Sequence, residues 1–276
     1  MEREKSYKLR KGKIDMRFRG KRGMNRSGQV TLFVIIAIVL VAAVVIAFVF
    51  FPSIGETITG TEFSPQGFLR NCVSQDLRTN VDFLGTQGGY ADPEGFILYE
   101  GNKVKYLCYT SEYYDTCTVQ SPMIKSKFER ELNSLVENKA NDCFESLQEE
   151  YESRGFSISS GKGKSNVKII PGAIRFEFET PMTIIKETTR TFDGFSVDLN
   201  SEMYDLLLTS QSIIDFESTL GDSETSLYIT YYPDLKIEKN RLGDGSTVYK
   251  LSNVVTDEEF TFASRSLVWP PGYGIE

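Results

Sequence analysis

The chain has 276 residues, four cysteines, a formal net charge of −7 and no histidine. Without histidine it cannot form a Ser-His-Asp or Cys-His catalytic site, an H-E-x-x-H zinc protease or a histidine acid or base, which excludes most hydrolases. The acidic charge of the region after residue 51 argues against nucleic acid as a partner.

The first 28 residues form a strongly basic leader. They contain eleven lysines and arginines against three acidic residues, a net charge of +8, so the rest of the chain carries −15. By the positive-inside rule, this leader stays in the cytoplasm and everything after Phe51 is exported. Its basic residues are expected to contact anionic lipid head groups, which explains the charge without a nucleic-acid partner.

An uncharged apolar run follows the leader. Residues 30–51 contain only Thr31 as a polar interruption and, as a helix, would be about 33 Å long, enough to cross a bilayer. The run is too long for a cleavable secretory signal and ends in phenylalanines rather than small residues. We therefore predict a transmembrane helix over residues 29–51, with the lipid bilayer as partner, and a linker over residues 52–63 that begins with the helix-breaking Pro52.

Three helices are predicted in the exported region. The first two begin at Ser64 and Ser121, each a serine N-cap followed by proline in the first turn. Apolar residues then recur at helical spacing until Gly88 in the first helix and Gly155 in the second. A third helix is predicted over residues 201–216.

Between and after these helices, the apolar period changes from 3.6 to 2. Strands are predicted at "NVKII", "AIRFEFE", "MTIIKE", "SLYITYY", "LKIEK", "TVYKL" and "FTFAS", with a tight hairpin turn at Asp244 and Gly245. This mixture predicts an α+β fold: a single N-terminal transmembrane helix, then an exported domain over residues 64–276 in which helices pack on an antiparallel sheet.

All four cysteines lie after the predicted span, which favours disulfides in an oxidising compartment over free buried thiols. Cys72 and Cys143 fall within the apolar stripes of the first two helices, and Cys108 and Cys117 bracket a short loop, so these are the predicted pairs. No C-x-x-C motif and no histidine is present, and we predict neither a metal site nor a cofactor.

Tyrosines crowd the segment that holds the second cysteine pair. They are Tyr106, Tyr109, Tyr113 and Tyr114. Since tyrosine offers a large contact area at low entropic cost, a disulfide-closed loop of this composition is a candidate interaction loop for an envelope protein or a surface glycan. The alternative is that these side chains are strand tyrosines packed on the sheet.

Two parts of the sequence resemble known groups of proteins. "SGQVTLF" after a basic leader is similar to the class III (type IV pilin-like) signal of archaea, which implies peptidase cleavage between Gly28 and Gln29. The cysteine helix, "TQGGY", the helix ending near Cys143 and "GFSIS" before "NVKII" resemble an uncharacterised group of membrane-anchored proteins from small-genome (DPANN-type) archaea. This resemblance implies location and architecture but no activity.

Together these features predict a non-enzymatic, membrane-anchored surface protein, outside the cell except for its leader, that contacts other envelope or partner-cell components. A pilin-like filament subunit is the first alternative, and an ectoenzyme with an unrecognised carboxylate site is the second. The fifth residue after the predicted cleavage site is Phe33, where typical pilins have glutamate, and Pro52 interrupts continuation of the helix. Both features favour a single-subunit anchor.

Overall fold

The structure is a computed structural model, and it describes residues 34–41, 63–161 and 163–270. Residues 34–41 are helical. They are the only part of the predicted membrane span that the structure describes, and no helix among the described residues is long and apolar enough to cross a membrane. The basic leader and the predicted cleavage site at Gly28 and Gln29 lie outside the described residues.

From Phe63 onward, the described residues belong to one compact unit of helices and strands. The helices are α1 (Pro65–Thr86), α2 (Ile124–Ser153), α3 (Met203–Leu220) and α4 (Ser226–Tyr231). The strands are β1 (Phe96–Tyr99), β2 (Asn102–Tyr109), β3 (Thr118–Val119), β4 (Ser157–Ser160), β5 (Lys164–Ile170), β6 (Ala173–Glu179), β7 (Met182–Ile185), β8 (Thr189–Phe192), β9 (Phe195–Asn200), β10 (Leu235–Arg241), β11 (Thr247–Asn253) and β12 (Glu259–Arg265). These elements confirm the α+β class.

Helix α1 begins and ends where its sequence predicts. The Ser64 hydroxyl accepts a hydrogen bond from the Gly67 amide at 3.4 Å, which satisfies one of the free donors at the helix start. The helix gives way to Gly88 and Gly89, whose φ angles of 71° and 83° lie in the left-handed region that glycine adopts without strain. The Gly89 amide donates back to the Leu84 carbonyl at 2.8 Å.

Helix α2 begins two residues later than predicted. The N-cap is Met123, without a side-chain hydrogen bond, and not Ser121. Ser121 is buried, and its hydroxyl lies 3.0 Å from the Tyr90 hydroxyl. This side chain is therefore engaged in a tertiary contact instead of capping the helix. At the other end, Gly155 has the left-handed conformation expected of a residue that terminates a helix.

The strands of the described region form three sheets rather than the single predicted sheet. A six-stranded sheet has the order β1-β2-β12-β11-β10, with β3 also paired to β2; the others have the orders β4-β7-β8 and β5-β6-β9. All recorded pairings between these strands are antiparallel except that of β12 with β2. The predicted hairpin at Asp244 and Gly245 joins β10 to β11, with Arg241 opposite Thr247.

The helices cover the sheets and enclose one large apolar core. α1 packs against α2, β9 and β12, while α3 packs against β12. A disulfide joins Cys72 of α1 to Cys143 of α2 across this helix pair, with 6.0 Å between the Cα atoms, and a second disulfide joins Cys108 to Cys117. These are the pairs that the apolar stripes and the short loop predict.

The prediction of a strand at "SLYITYY" is wrong, because this segment forms the short helix α4. The Tyr232 amide donates to the Tyr228 carbonyl at 2.9 Å, and the Thr230 hydroxyl donates to the Ser226 carbonyl at 2.8 Å. The Tyr228 hydroxyl lies 2.7 Å from that of Ser212 on α3, which docks the segment as a helix. Tertiary docking has overridden the strand propensity of its aromatic and β-branched residues.

Candidate functional site

The short disulfide closes a loop at the edge of the six-stranded sheet. Cys108 lies near the end of β2, and Cys117 lies directly before β3, which pairs back onto β2. Both cysteines are buried, whereas residues 111–115 between them are exposed. The backbone at the two ends of the loop is therefore fixed while its middle faces solvent.

Tyr106 differs from the other three tyrosines of the predicted interaction loop. It lies within β2, is half-buried, and its hydroxyl is 2.8 Å from the Ser246 hydroxyl. Burial raises the pKa of Tyr106 above its ordinary value. Its ring supports that of Tyr109 in an edge-to-face contact with 5.0 Å between the centroids. Tyr106 thus has the packed position that the alternative hypothesis gives to all four residues.

The remaining tyrosines are exposed and share a surface with residues from the end of the chain. Tyr109, Tyr113 and Tyr114 are 40%, 48% and 53% exposed, and Trp269 is 51% exposed. The Arg265 guanidinium lies 5.9 Å from the ring centroids of both Tyr109 and Tyr113, within range of a cation–π interaction. Tyr114 and Trp269 meet edge to face at 5.0 Å. We call these five residues the aromatic surface.

Backbone hydrogen bonds connect the two segments that form the aromatic surface. The Tyr114 amide donates to the Val268 carbonyl at 2.8 Å, and the Leu267 amide donates to the Asp115 carbonyl at 2.8 Å. Tyr114 and Leu267 both have positive φ angles, 62° and 47°, which non-glycine residues adopt only where surrounding contacts hold them. The loop and the segment after β12 therefore form one rigid platform.

A cleft of about 480 Å³ adjoins the aromatic surface at Trp269. Three segments form it: the end of α3, the turn between β10 and β11, and the residues after β12. Its wall includes Leu267 and Trp269, and its polar lining includes Asp222, Arg241 and Thr247. Trp269 thus belongs both to the cleft and to the aromatic surface.

Two glycines allow these segments to approach closely. A Cβ atom on Gly221 would lie 2.6 Å from the Cβ of Leu267, and one on Gly245 would lie 2.3 Å from a methyl group of Val268. Both glycines have φ angles near +85°, a conformation that other residues rarely adopt. The position of the segment after β12, and hence of Trp269, depends on both.

A buried carboxylate lies at the base of the cleft. Glu217 is 2% exposed, and its two oxygens accept hydrogen bonds from the Tyr249 hydroxyl, from the Ser264 hydroxyl at 3.0 Å and from the Ser223 amide at 3.0 Å. Burial, followed by the charge of Glu217, raises the pKa of Tyr249 far above its ordinary value. With three donors, this carboxylate holds α3, β11 and β12 together.

The rim of the cleft carries an ion-pair network. The Arg241 guanidinium donates to one Asp222 oxygen at 2.8 Å, and the Lys239 ammonium donates to the other. Arg241 remains 69% exposed, whereas Lys239 is largely covered. Asp222 is consequently held in one orientation at the edge of the cleft.

Carboxylates also gather at a separate cleft, which bears on the ectoenzyme hypothesis. Asp82 lies there with Glu258 and Glu259, and partial burial together with the Glu258 charge raises the pKa of Asp82. Glu258 accepts from the Glu202 amide at 2.5 Å, at the start of α3, and Glu259 pairs with Lys250 at 2.8 Å. Both glutamates thus have structural partners.

Chemically, the aromatic surface and its cleft are suited to binding. They offer aromatic rings, a guanidinium and a fixed carboxylate, and among the described residues no three or more Cys, Asp or Glu side chains are arranged so that they could hold a metal ion. No protein-family model, curated protein or solved structure matches this chain.

Arg265 and Trp269 were not predicted, because they are about 150 residues away from the loop in sequence. The one available signal was that Trp269 is the sole tryptophan.

Proposed function

We propose that this chain is a single-pass, membrane-anchored surface protein whose exported domain recognises envelope or partner-cell components without catalysing a reaction. The observation that carries this proposal is the aromatic surface, on which three tyrosines and the only tryptophan are exposed side by side. Exposed aromatic clusters are characteristic of recognition sites, since large rings contribute contact area with few rotatable bonds.

Anchoring is supported by the sequence of the N-terminal region. An uncharged run of 22 residues follows a leader of net charge +8, and all four cysteines come after the run. Two disulfides in the exported region fit an oxidising compartment. The resemblance to archaeal class III signals and to membrane-anchored DPANN-type proteins points to the same location.

A pilin-like filament subunit is the alternative function, and the observation in its favour is the class III signal-like segment around Gly28 and Gln29. Phe33 argues against it, because typical pilins have a glutamate at that position. Electron microscopy of sheared surface fractions distinguishes the two: filaments that contain the exported domain would favour the pilin.

Protease accessibility tests the proposed topology. Protease added to intact cells should remove the chain after Phe51 and leave an epitope tag on the basic leader intact. In permeabilised cells the tag should also be digested. Digestion of the tag in sealed cells would refute the cytoplasmic location of the leader.

Binding to isolated envelopes of the producing organism tests the recognition role. Replacing both Tyr113 and Tyr114 with serine should reduce binding at least tenfold, because two of the exposed rings are removed. Tyr231→Ser is the matched control, since Tyr231 is 77% exposed but lies on α4. Equal binding by the double variant and the parent protein would refute recognition through the aromatic surface.

A further inference from the structure

We propose that the cleft beside Trp269 is a binding site for neutral carbohydrate. The inference rests on the proposed recognition function and deepens it by assigning a ligand class. It follows from the combination of a half-exposed tryptophan with a fixed Asp222–Arg241 pair in a cleft of about 480 Å³. This volume lies within the range of small-molecule sites.

Trp269 supplies the apolar half of the site. Its ring is braced by Tyr114 in a perpendicular contact, yet about half of the residue's surface stays open to solvent. The C–H groups on one face of a pyranose ring carry a slight positive charge and pack well against the electron-rich face of an indole. A sugar ring can therefore stack on this wall without the cleft having to rearrange.

The Asp222–Arg241 pair supplies the polar half. Adjacent hydroxyls of a sugar can each donate and accept, so they are complementary to a carboxylate that lies beside a guanidinium. In the described residues, the hydrogen bond from Arg241 to Asp222 uses Nη2 and leaves the other guanidinium donors for a ligand. The half-buried Thr247 adds a hydroxyl to the lining.

These polar groups are already held in place. Lys239 and Arg241 donate hydrogen bonds to different oxygens of Asp222. The amide of Ser223, the next residue, donates to the Glu217 carboxylate. The polar groups at the rim of the cleft are therefore already positioned before a ligand binds. Pre-organisation of this kind lowers the cost of binding.

Charge balance indicates a neutral ligand rather than an anionic one. The charges of Asp222, Glu217, Lys239 and Arg241 sum to zero: both cations pair with Asp222, and Glu217 accepts hydrogen bonds from neutral donors. A phosphate or carboxylate ligand would find no net positive charge among these four groups and would be repelled by the two carboxylates. A purely apolar ligand would leave the Asp222–Arg241 pair desolvated.

The position of Trp269 provides a direct assay, because it is the only tryptophan in the chain. Full-length protein in detergent micelles should be titrated with neutral hexose oligosaccharides while the tryptophan emission is recorded, with phosphorylated and uronic-acid oligosaccharides in parallel. We expect a saturable emission change with the neutral sugars, and at least tenfold weaker binding for Asp222→Asn and for Arg241→Gln. Tyr231→Ser, on α4, should bind like the parent.

Circular dichroism and non-reducing electrophoresis will show whether the variants remain folded and keep both disulfides. A fully folded Asp222→Asn or Arg241→Gln variant with parental affinity would overturn the proposal, as would tighter binding of the anionic oligosaccharides or no emission change with any neutral one. If no neutral sugar binds but envelope binding still requires Tyr113 and Tyr114, only the assignment of a carbohydrate ligand is refuted. If neither is observed, the proposed recognition function falls as well.

Discussion

Removing the disulfide between Cys72 and Cys143 should destabilise the compact unit that begins at Phe63 more than removing the one between Cys108 and Cys117. The perturbation is a pair of double variants, each with both cysteines of one disulfide replaced by alanine. The two double variants are chemically matched, and three of the four cysteines are fully buried while Cys72 is partly buried. The main difference between them is the length of chain that each bridge closes.

The expected magnitudes follow from loop length. The sequence separations of 71 and 9 correspond to closed loops of 72 and 10 residues, counting both cysteines, so the chain-entropy relation gives roughly 4.4 kcal/mol for the first disulfide and roughly 2.7 kcal/mol for the second. The difference of about 1.7 kcal/mol corresponds to about 3–7 °C in Tm for a domain of this size. The order of the two variants is the decisive quantity, because both lose similar side-chain volume.

Urea denaturation of purified residues 52–276, monitored by circular dichroism, measures both free energies of unfolding. Peptide mapping under non-reducing conditions must first find Cys72 joined to Cys143 and Cys108 joined to Cys117. A peptide joining Cys72 to Cys108, or free thiols, would refute the pairing. If the pairing holds but the short-loop variant is the less stable one, loop entropy does not control the stability of this domain.

Two further predictions concern the interior of the domain. Gly85→Ala should lower the free energy of unfolding by about 1–3 kcal/mol or more, because the added Cβ would lie 2.3 Å from the Glu259 carbonyl oxygen. Gly67→Ala in the same helix should be neutral or stabilising, since its Cβ would make only ordinary contacts, at 3.7 Å. Thermal unfolding compares the two variants, and equal Tm values would contradict the close packing at Gly85. Tyr249→Phe should cost about 1.5–3 kcal/mol at neutral pH because Glu217 loses a donor. Above pH 10 the parent should also lose stability more steeply than this variant. The reason is that the unfolded chain releases the Tyr249 proton near its ordinary pKa of 10.0, whereas the folded protein retains it. Parallel profiles of unfolding free energy against pH for the two proteins would refute this.

The sequence predicts the helical part of the fold well because its signals are local. The Ser64 cap, the apolar spacing of α1 and the left-handed glycines after it are all decided within a few residues of one another. The start of α2 was misplaced because the Ser121 hydroxyl contacts Tyr90, and no local pattern encodes that distant contact.

Strands were predicted less completely for the same reason. β9 alternates buried and exposed residues along its whole length, yet it was not identified, and the parallel pairing of β2 with β12 joins segments about 155 residues apart in sequence. α4 was assigned as a strand because its residues favour strands, but its docking through Tyr228 and Ser212 decides its structure. Pairing partners, and not propensity, determine these elements.

The candidate site is the least predictable part because it exists only after folding. The sequence indicates the tyrosine-rich loop, but Arg265 reaches it through the pairing of β12 with β2, and Trp269 through the backbone hydrogen bond between Tyr114 and Val268. The cleft requires Gly221 and Gly245 as well. Arg265, Trp269 and the two glycines all lie more than 100 residues after the loop in the chain.

The two disulfides should consequently have separable roles, and a comparison of binding with stability can test this. The Cys72–Cys143 bridge lies between two helices of the core, whereas the Cys108–Cys117 bridge closes the loop that carries Tyr113 and Tyr114. Opening the short loop releases the backbone that positions those rings, so envelope binding should weaken at least tenfold even at temperatures where the domain remains folded. The double alanine variant of the long bridge should lose more stability but, below its Tm, bind like the parent. Equal loss of binding in both variants at a temperature where both are folded would show that the aromatic surface depends on the whole core and not on the bridge beneath it.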